Sequence, residues 1–113
     1  MSGLNEDDAI NAEIDTLRRA FVDRLPMRIE ALNDASAALG AADGEVARQH
    51  AIDDVGNVAH GISGSAGLFG FQDLADAAEE LEAACETAQG EAANRLDLSG
   101  LVRSLREIAS GVA

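Results

Sequence analysis

Small and apolar side chains recur at helical spacing along almost the whole chain, and this limits the folds it can adopt. From Ile52, the residues Val55, Ala59, Ile62, Ala66 and Phe69 follow at steps of three and four. That spacing lines one face of an α-helix and no face of a strand. The same rhythm returns in four other stretches. Ile10, Ile14, Leu17 and Phe21 predict a helix from about Ala9 to Arg24. Pro26 cannot extend that helix but suits the first turn of the next. The next carries Ile29, Leu32, Ser36 and Leu39 on one face, with Gly40 as its expected stop. Asp43 is the expected N-cap of a third helix running to about Phe69, where Gly70 would end it. Leu74, Ala77, Ala78, Leu81, Ala84, Cys85 and Ala88 mark a fourth, from about Gln72 to Gln89. Leu98, Leu101, Val102, Leu105 and Ile108 mark a fifth, from about Asn94 to Ser110.

Short connections between amphipathic helices make neighbours antiparallel. The expected fold is all-α: an antiparallel four-helix bundle of the last four helices, with the first packed across it. Residues 1–8 are expected to be a flexible acidic N-terminus, and residues 9–113 a single domain.

Charge narrows the functions. The chain has 113 residues and a net charge of −13, and all eight basic residues are arginine. Nucleic-acid surfaces need clustered positive charge, and anionic membranes attract it, so neither is an expected partner. Without lysine there is no Walker A loop and no Schiff-base chemistry. Strong acidity suits a partner that is basic or loaded with metal. The single cysteine, Cys85, cannot form an internal disulfide and reads as a small core residue. No apolar run approaches the roughly 20 residues needed to cross a bilayer. The acidic start lacks a signal-peptide core, so the expected location is cytoplasmic.

The feature that carries chemistry is "AHGISGSAGLFGF", residues 59–71. Each glycine inside a helix costs about 0.5–1 kcal/mol relative to alanine. At about 100° per residue, Gly56, Gly64 and Gly67 fall on the same side of the helix as His60, outside the apolar stripe. Gly61 falls on another side and has no evident role. Two readings are open. The glycines leave the imidazole reachable by a partner macromolecule, with room for a phosphoryl group on the ring. Or they let another helix pack closely, with His60 an edge residue.

Helix 4 returns alongside helix 3, and counting back from the turn brings Glu82 to the level of His60. A carboxylate on one ring nitrogen fixes the tautomer and leaves the other nitrogen as the nucleophile. The competing reading places Glu82 on a solvated acidic face. Other chemistries fit poorly. His50 and His60 are about 15 Å apart along the helix axis and cannot share an ion, so no metal site is expected. "GISGSAG" lacks the last glycine of a nucleophile elbow and is not a dinucleotide loop.

"AHGISGSAGLFGFQDLADAAEELE" resembles the signature of histidine phosphotransfer (HPt) domains, and "FVDRLPMRIEAL" resembles the family's first helix junction. The resemblance covers about Phe21 to Glu82. It implies a four-helix bundle in a two-component phosphorelay. It makes His60 the phospho-acceptor, serving receiver domains of response regulators or hybrid kinases. Gly64 would be the glycine that clears space, and Glu82 would orient the histidine. The implied protein binds no ATP and no cofactor; Mg²⁺ belongs to the receiver. A monomer is expected. Two departures stand out. The family usually has lysine three residues after the histidine, where this chain has Ser63. A hydroxyl can contact a phosphoryl oxygen but supplies no charge, so an arginine such as Arg28, or the partner, must compensate. The stretch from Asp43 to His60 is also longer than usual. A bundle that only docks a receiver or kinase, without transferring phosphate, is the alternative.

Overall fold

A computed structural model describes residues 3–88 and 98–112. Among them are four helices and no strand: α1 (Gly3–Ala41), α2 (Glu45–Leu68), α3 (Gln72–Thr87) and α4 (Leu98–Ser110). The fourth expected helix ends at Thr87, short of the expected Gln89, and the expected start of the fifth at Asn94 lies outside the described residues.

The first two expected helices are one. α1 runs through Pro26 without a break, and it starts at Gly3 rather than Ala9. Proline in a helix interior removes a hydrogen bond and costs about 3 kcal/mol. The apolar phase explains why the helix survives it. Phe21 and Leu25 before the proline, and Leu32 and Ala35 after it, are all buried and share one face. Pro26 itself lies on the exposed side. Breaking the helix there would throw one half of that face out of register. Leu25, placed by the sequence in the gap between two helices, is thereby 2 % exposed and part of the core.

The four-helix bundle holds, but among the described residues nothing packs across it. Each helix lies between two others, in the cyclic order α1, α2, α3, α4. α1 has 39 residues and α2 has 24, lengths of roughly 58 and 36 Å at 1.5 Å per residue. Phe21 of α1 meets Phe69 and Phe71, at the end of α2, with ring centroids 5.8 Å apart in both cases. The part of α1 before Phe21 therefore projects past the end of the bundle. Every residue from 8 to 19 is exposed.

Two helix ends differ from expectation. Gly40 lies within the last turn of α1, which ends at Ala41, and is not a stop. α2 is preceded by Gly44, not capped by Asp43. Gly44 has φ 96°, a left-handed conformation that turns the chain with little strain only at glycine. The other end of α2 is as expected. Gly70 has φ 82°. The Phe71 amide donates to the Ala66 carbonyl (2.9 Å) and the Gly70 amide to the Gly67 carbonyl (3.3 Å). This is the paired bonding of a Schellman stop, and it folds α3 back against α2.

The core holds Leu25, Leu32, Ile52, Val55, Ile62, Leu74, Leu81 and Leu105, all 0–2 % exposed. Burial of each such side chain contributes about 1.5–3 kcal/mol. Arg106 of α4 donates to Asn33 Oδ1 of α1 (3.1 Å), a tie across the bundle surface. No described helix is long and apolar enough to cross a membrane.

Candidate functional site

The site is set by how closely α2 and α3 approach. A Cβ added to Gly56 would stand 3.2 Å from Cys85 Cβ, too close for comfort. Glycine at 56 therefore lets α3 lie against α2 at Cys85. One turn on along α2 is His60, and one turn back along α3 is Glu82. Seven residues further on, Gly67 stands opposite Ala75, with an added Cβ 3.9 Å from Ala75 Cβ. Gly56 and Gly67 thus serve the helix pair. The sequence reading that they bare the His60 face is corrected: their side of α2 is occupied by α3.

That register brings His60 and Glu82 together. His60 Nδ1 and Glu82 Oε2 are 2.5 Å apart. The His60 side chain is 74 % exposed while Glu82 is 23 % exposed. With Nδ1–H donating to the carboxylate, Nε2 keeps its lone pair. The imidazole is thus both fixed and reachable.

Gly64, one turn beyond His60, differs from its neighbours. An added Cβ would meet no atom within 4 Å. Packing does not require this glycine, and neither does a left-handed backbone. The space it leaves lies beside His60, on the solvent side.

Gly61 acquires a role that the sequence did not reveal. Its added Cβ would lie 3.2 Å from Arg28 Nη1. The guanidinium of Arg28 in α1 thus lies against α2 at Gly61, the residue that follows His60, where an added Cβ would make it shift by a few tenths of an ångström. A sequence signal existed: Arg28 lies one turn from Leu25 and Leu32, on the bundle side of a continuous α1.

Ser63 does not aim outward. Its hydroxyl donates to the His60 carbonyl (3.0 Å), the previous turn of its own helix. It offers no positive charge, and its proton is already used.

An open cleft of about 610 Å³ flanks the histidine on the α3 side, with Asp53, Asn57, Glu82, Cys85 and Glu86 in its wall. Its carboxylates make that side unfavourable for an anion. Cys85, which lines it, is buried. Burial, reinforced by the charges of Asp53, Glu82 and Glu86, pushes its thiol up to about 11. It stays protonated near neutrality and is not a nucleophile. His50 is exposed. Among the described residues, no group of three or more His, Cys, Asp or Glu side chains could hold a metal ion.

The family model for the Hpt domain matches residues 16–111. No curated protein and no solved structure matches the chain.

Proposed function

The chain belongs to the Hpt domain family, whose members take part in phosphorelay signalling, and on that premise we propose that it relays a phosphoryl group between receiver-domain aspartates through His60. The observation that carries the proposal is the imidazole itself, its side chain exposed and its Nδ1 held by Glu82.

In the forward step, the Nε2 lone pair attacks the phosphorus of an aspartyl phosphate. The N–P bond forms as the P–O bond to the aspartate breaks, and the electron pair leaves on the aspartate carboxylate. The proton stays on Nδ1, so the phosphorylated ring carries positive charge, which the Glu82 carboxylate stabilises. The return step reverses these bonds onto a second receiver. Both partners bring their own Mg²⁺, and His60 uses no cofactor of this chain. Gly64 gives the receiver's active-site loops access to the ring. Arg28, seated over Gly61, supplies positive charge beside the phosphoryl group in place of a lysine at 63. The acidic surface of this chain suits a partner loaded with a divalent cation, and the exchange takes place in the cytoplasm.

Incubation with a receiver phosphorylated on its aspartate is the test. The expected result is transfer of label to the wild-type chain, in an acid-labile, base-stable linkage, and its complete loss in His60→Gln. Label that persists in His60→Gln refutes the assignment. A wild-type chain that binds the phosphorylated receiver and never acquires label is instead a docking module.

A further inference from the structure

We propose that Asn57 holds the phosphoryl group on His60, its side-chain amide donating a hydrogen bond to one of the phosphoryl oxygens. The proposal rests on the phosphorelay reading and adds a residue to it.

Helix geometry sets the direction. Side chains of a helix lean towards its N-terminus and cover the turn before their own. The turn before His60 carries Gly56 and Asn57. The cleft agrees with this. From α2 its wall takes Ile52, Asp53, Gly56 and Asn57, all on the N-terminal side of His60, and not Gly64. Asn57 lies three residues before His60, a spacing that sets two helical Cβ atoms about 5–6 Å apart. A phosphoryl group on the ring and an amide two bonds beyond its Cβ are then within reach of one another.

The chemistry of the wall singles Asn57 out. Asp53, Glu82 and Glu86 bring carboxylates, which only accept hydrogen bonds and repel a phosphoryl dianion. Glu82 already meets His60 Nδ1, and Asp53 accepts from Gln49 Nε2 (3.0 Å). The Cys85 thiol is buried and a weak donor. Asn57 is the one side chain of this wall besides the histidine that presents a strong donor. It is exposed, and its amide makes no hydrogen bond among the described residues. An aspartate of the same shape would have completed the acidic wall.

Helix stability does not call for this residue. Asparagine is a poor helix former, favoured at helix caps. Position 57 is in the middle of α2 and caps neither end. On the other side of His60, Arg28 reaches α2 at Gly61, one turn beyond Asn57. A neutral donor and a charged one, from two helices, thus bracket the histidine.

In the transfer, the N–P bond forms at the ring nitrogen as the P–O bond to the receiver aspartate breaks. The three non-bridging oxygens keep their negative charge. Asn57 gives one of them a hydrogen bond and exchanges no proton. It therefore shifts the equilibrium towards the phosphorylated chain.

The test reads the Asn57 amide by proton–nitrogen NMR in the full chain, phosphorylated with phosphoramidate. The P–N bond of that donor breaks and releases ammonia as the N–P bond to His60 forms. The Asn57 amide signals should shift on labelling and exchange with water more slowly, and should stay put in His60→Gln. At equilibrium with a phosphorylated receiver, Asn57→Ala should hold about three- to tenfold less label than the wild type, the loss of a hydrogen bond to a charged group at an exposed site. Asn57→Asp, which adds repulsion, should hold less still. Asn57→Ala should keep the helical CD spectrum and the wild-type affinity for the unphosphorylated receiver. Amide signals that do not move in the labelled wild-type chain overturn the proposal, as does a wild-type equilibrium in both variants. If phosphoramidate delivers label and no receiver does, the relay reading fails, while a shifted Asn57 signal still upholds the contact.

Discussion

The stripe on α2 and the stripe on the first half of α1 share one spacing and have opposite surroundings. On α2, Ile52, Val55, Ala59, Ile62 and Ala66 are all 0–1 % exposed. On α1, Ile10, Ile14 and Leu17 are 40–55 % exposed. Periodicity tells which face of a helix is apolar. What covers that face depends on where the chain goes next. After α2, Gly70 turns the chain so that α3 lies back along it. Before Phe21 there is no returning segment among the described residues, because Pro26 does not bend α1 back over the bundle.

The largest effect should come from the covered stripe. Ile62→Ala deletes a fully buried side chain on the histidine helix itself. It should lower unfolding stability in urea by about 2–4 kcal/mol. A loss below about 1 kcal/mol would mean the bundle collapses around the cavity, and the contrast between the stripes would shrink accordingly.

The next prediction concerns the close approach that makes the site. Gly56→Leu forces α3 away from α2 at Cys85. Overpacking of this kind costs about 1–3 kcal/mol. The more informative readout is the His60 ring. Nitrogen NMR should show the Nδ1–H tautomer giving way to a mixture as Glu82 withdraws. A ring signal unchanged in a folded Gly56→Leu protein would show that His60 and Glu82 stay paired without that helix contact.

Gly64→Leu should separate function from stability. No atom stands where the new side chain begins, and removing a glycine from a helix interior favours the helix by about 0.5–1 kcal/mol. The variant should be as stable as the wild type or slightly more so, yet accept phosphate from a receiver at least about tenfold more slowly, the loss expected when a near-attack geometry is displaced. An unchanged transfer rate would remove the steric argument for this glycine.

Much of the hairpin was legible in the sequence, because its signals are local. The α2 stripe, the Gly70 stop and the α3 stripe sit a few residues apart, and together they fix the level at which Glu82 meets His60. What escaped the sequence depends on helix-to-helix distance or on competition between effects. Gly56 was assigned to access because a wheel shows direction but not which helix fills that direction. Gly61 had no role until Arg28 was seen across it. Pro26 was read as a break because its local cost is large. The unbroken phase of Phe21, Leu25, Leu32 and Ala35 outweighs it, and only the burial of all four makes that balance visible.

The smallest effect belongs to the uncovered stripe, and it is the one that tests the comparison most directly. In dilute protein, Leu17→Ala removes a side chain that is already 52 % exposed, and alanine is the better helix former. Unfolding stability should change by less than about 0.5 kcal/mol, as for most surface substitutions. Raising the concentration should leave that result unchanged, because the sequence predicts a monomer and the stripe is uncovered among the described residues. Thermal unfolding followed by CD across a hundredfold range of concentration checks this. A wild-type melting temperature that rises with concentration, more steeply than that of Leu17→Ala, would show that a second copy covers the stripe, since association stabilises the folded state by mass action.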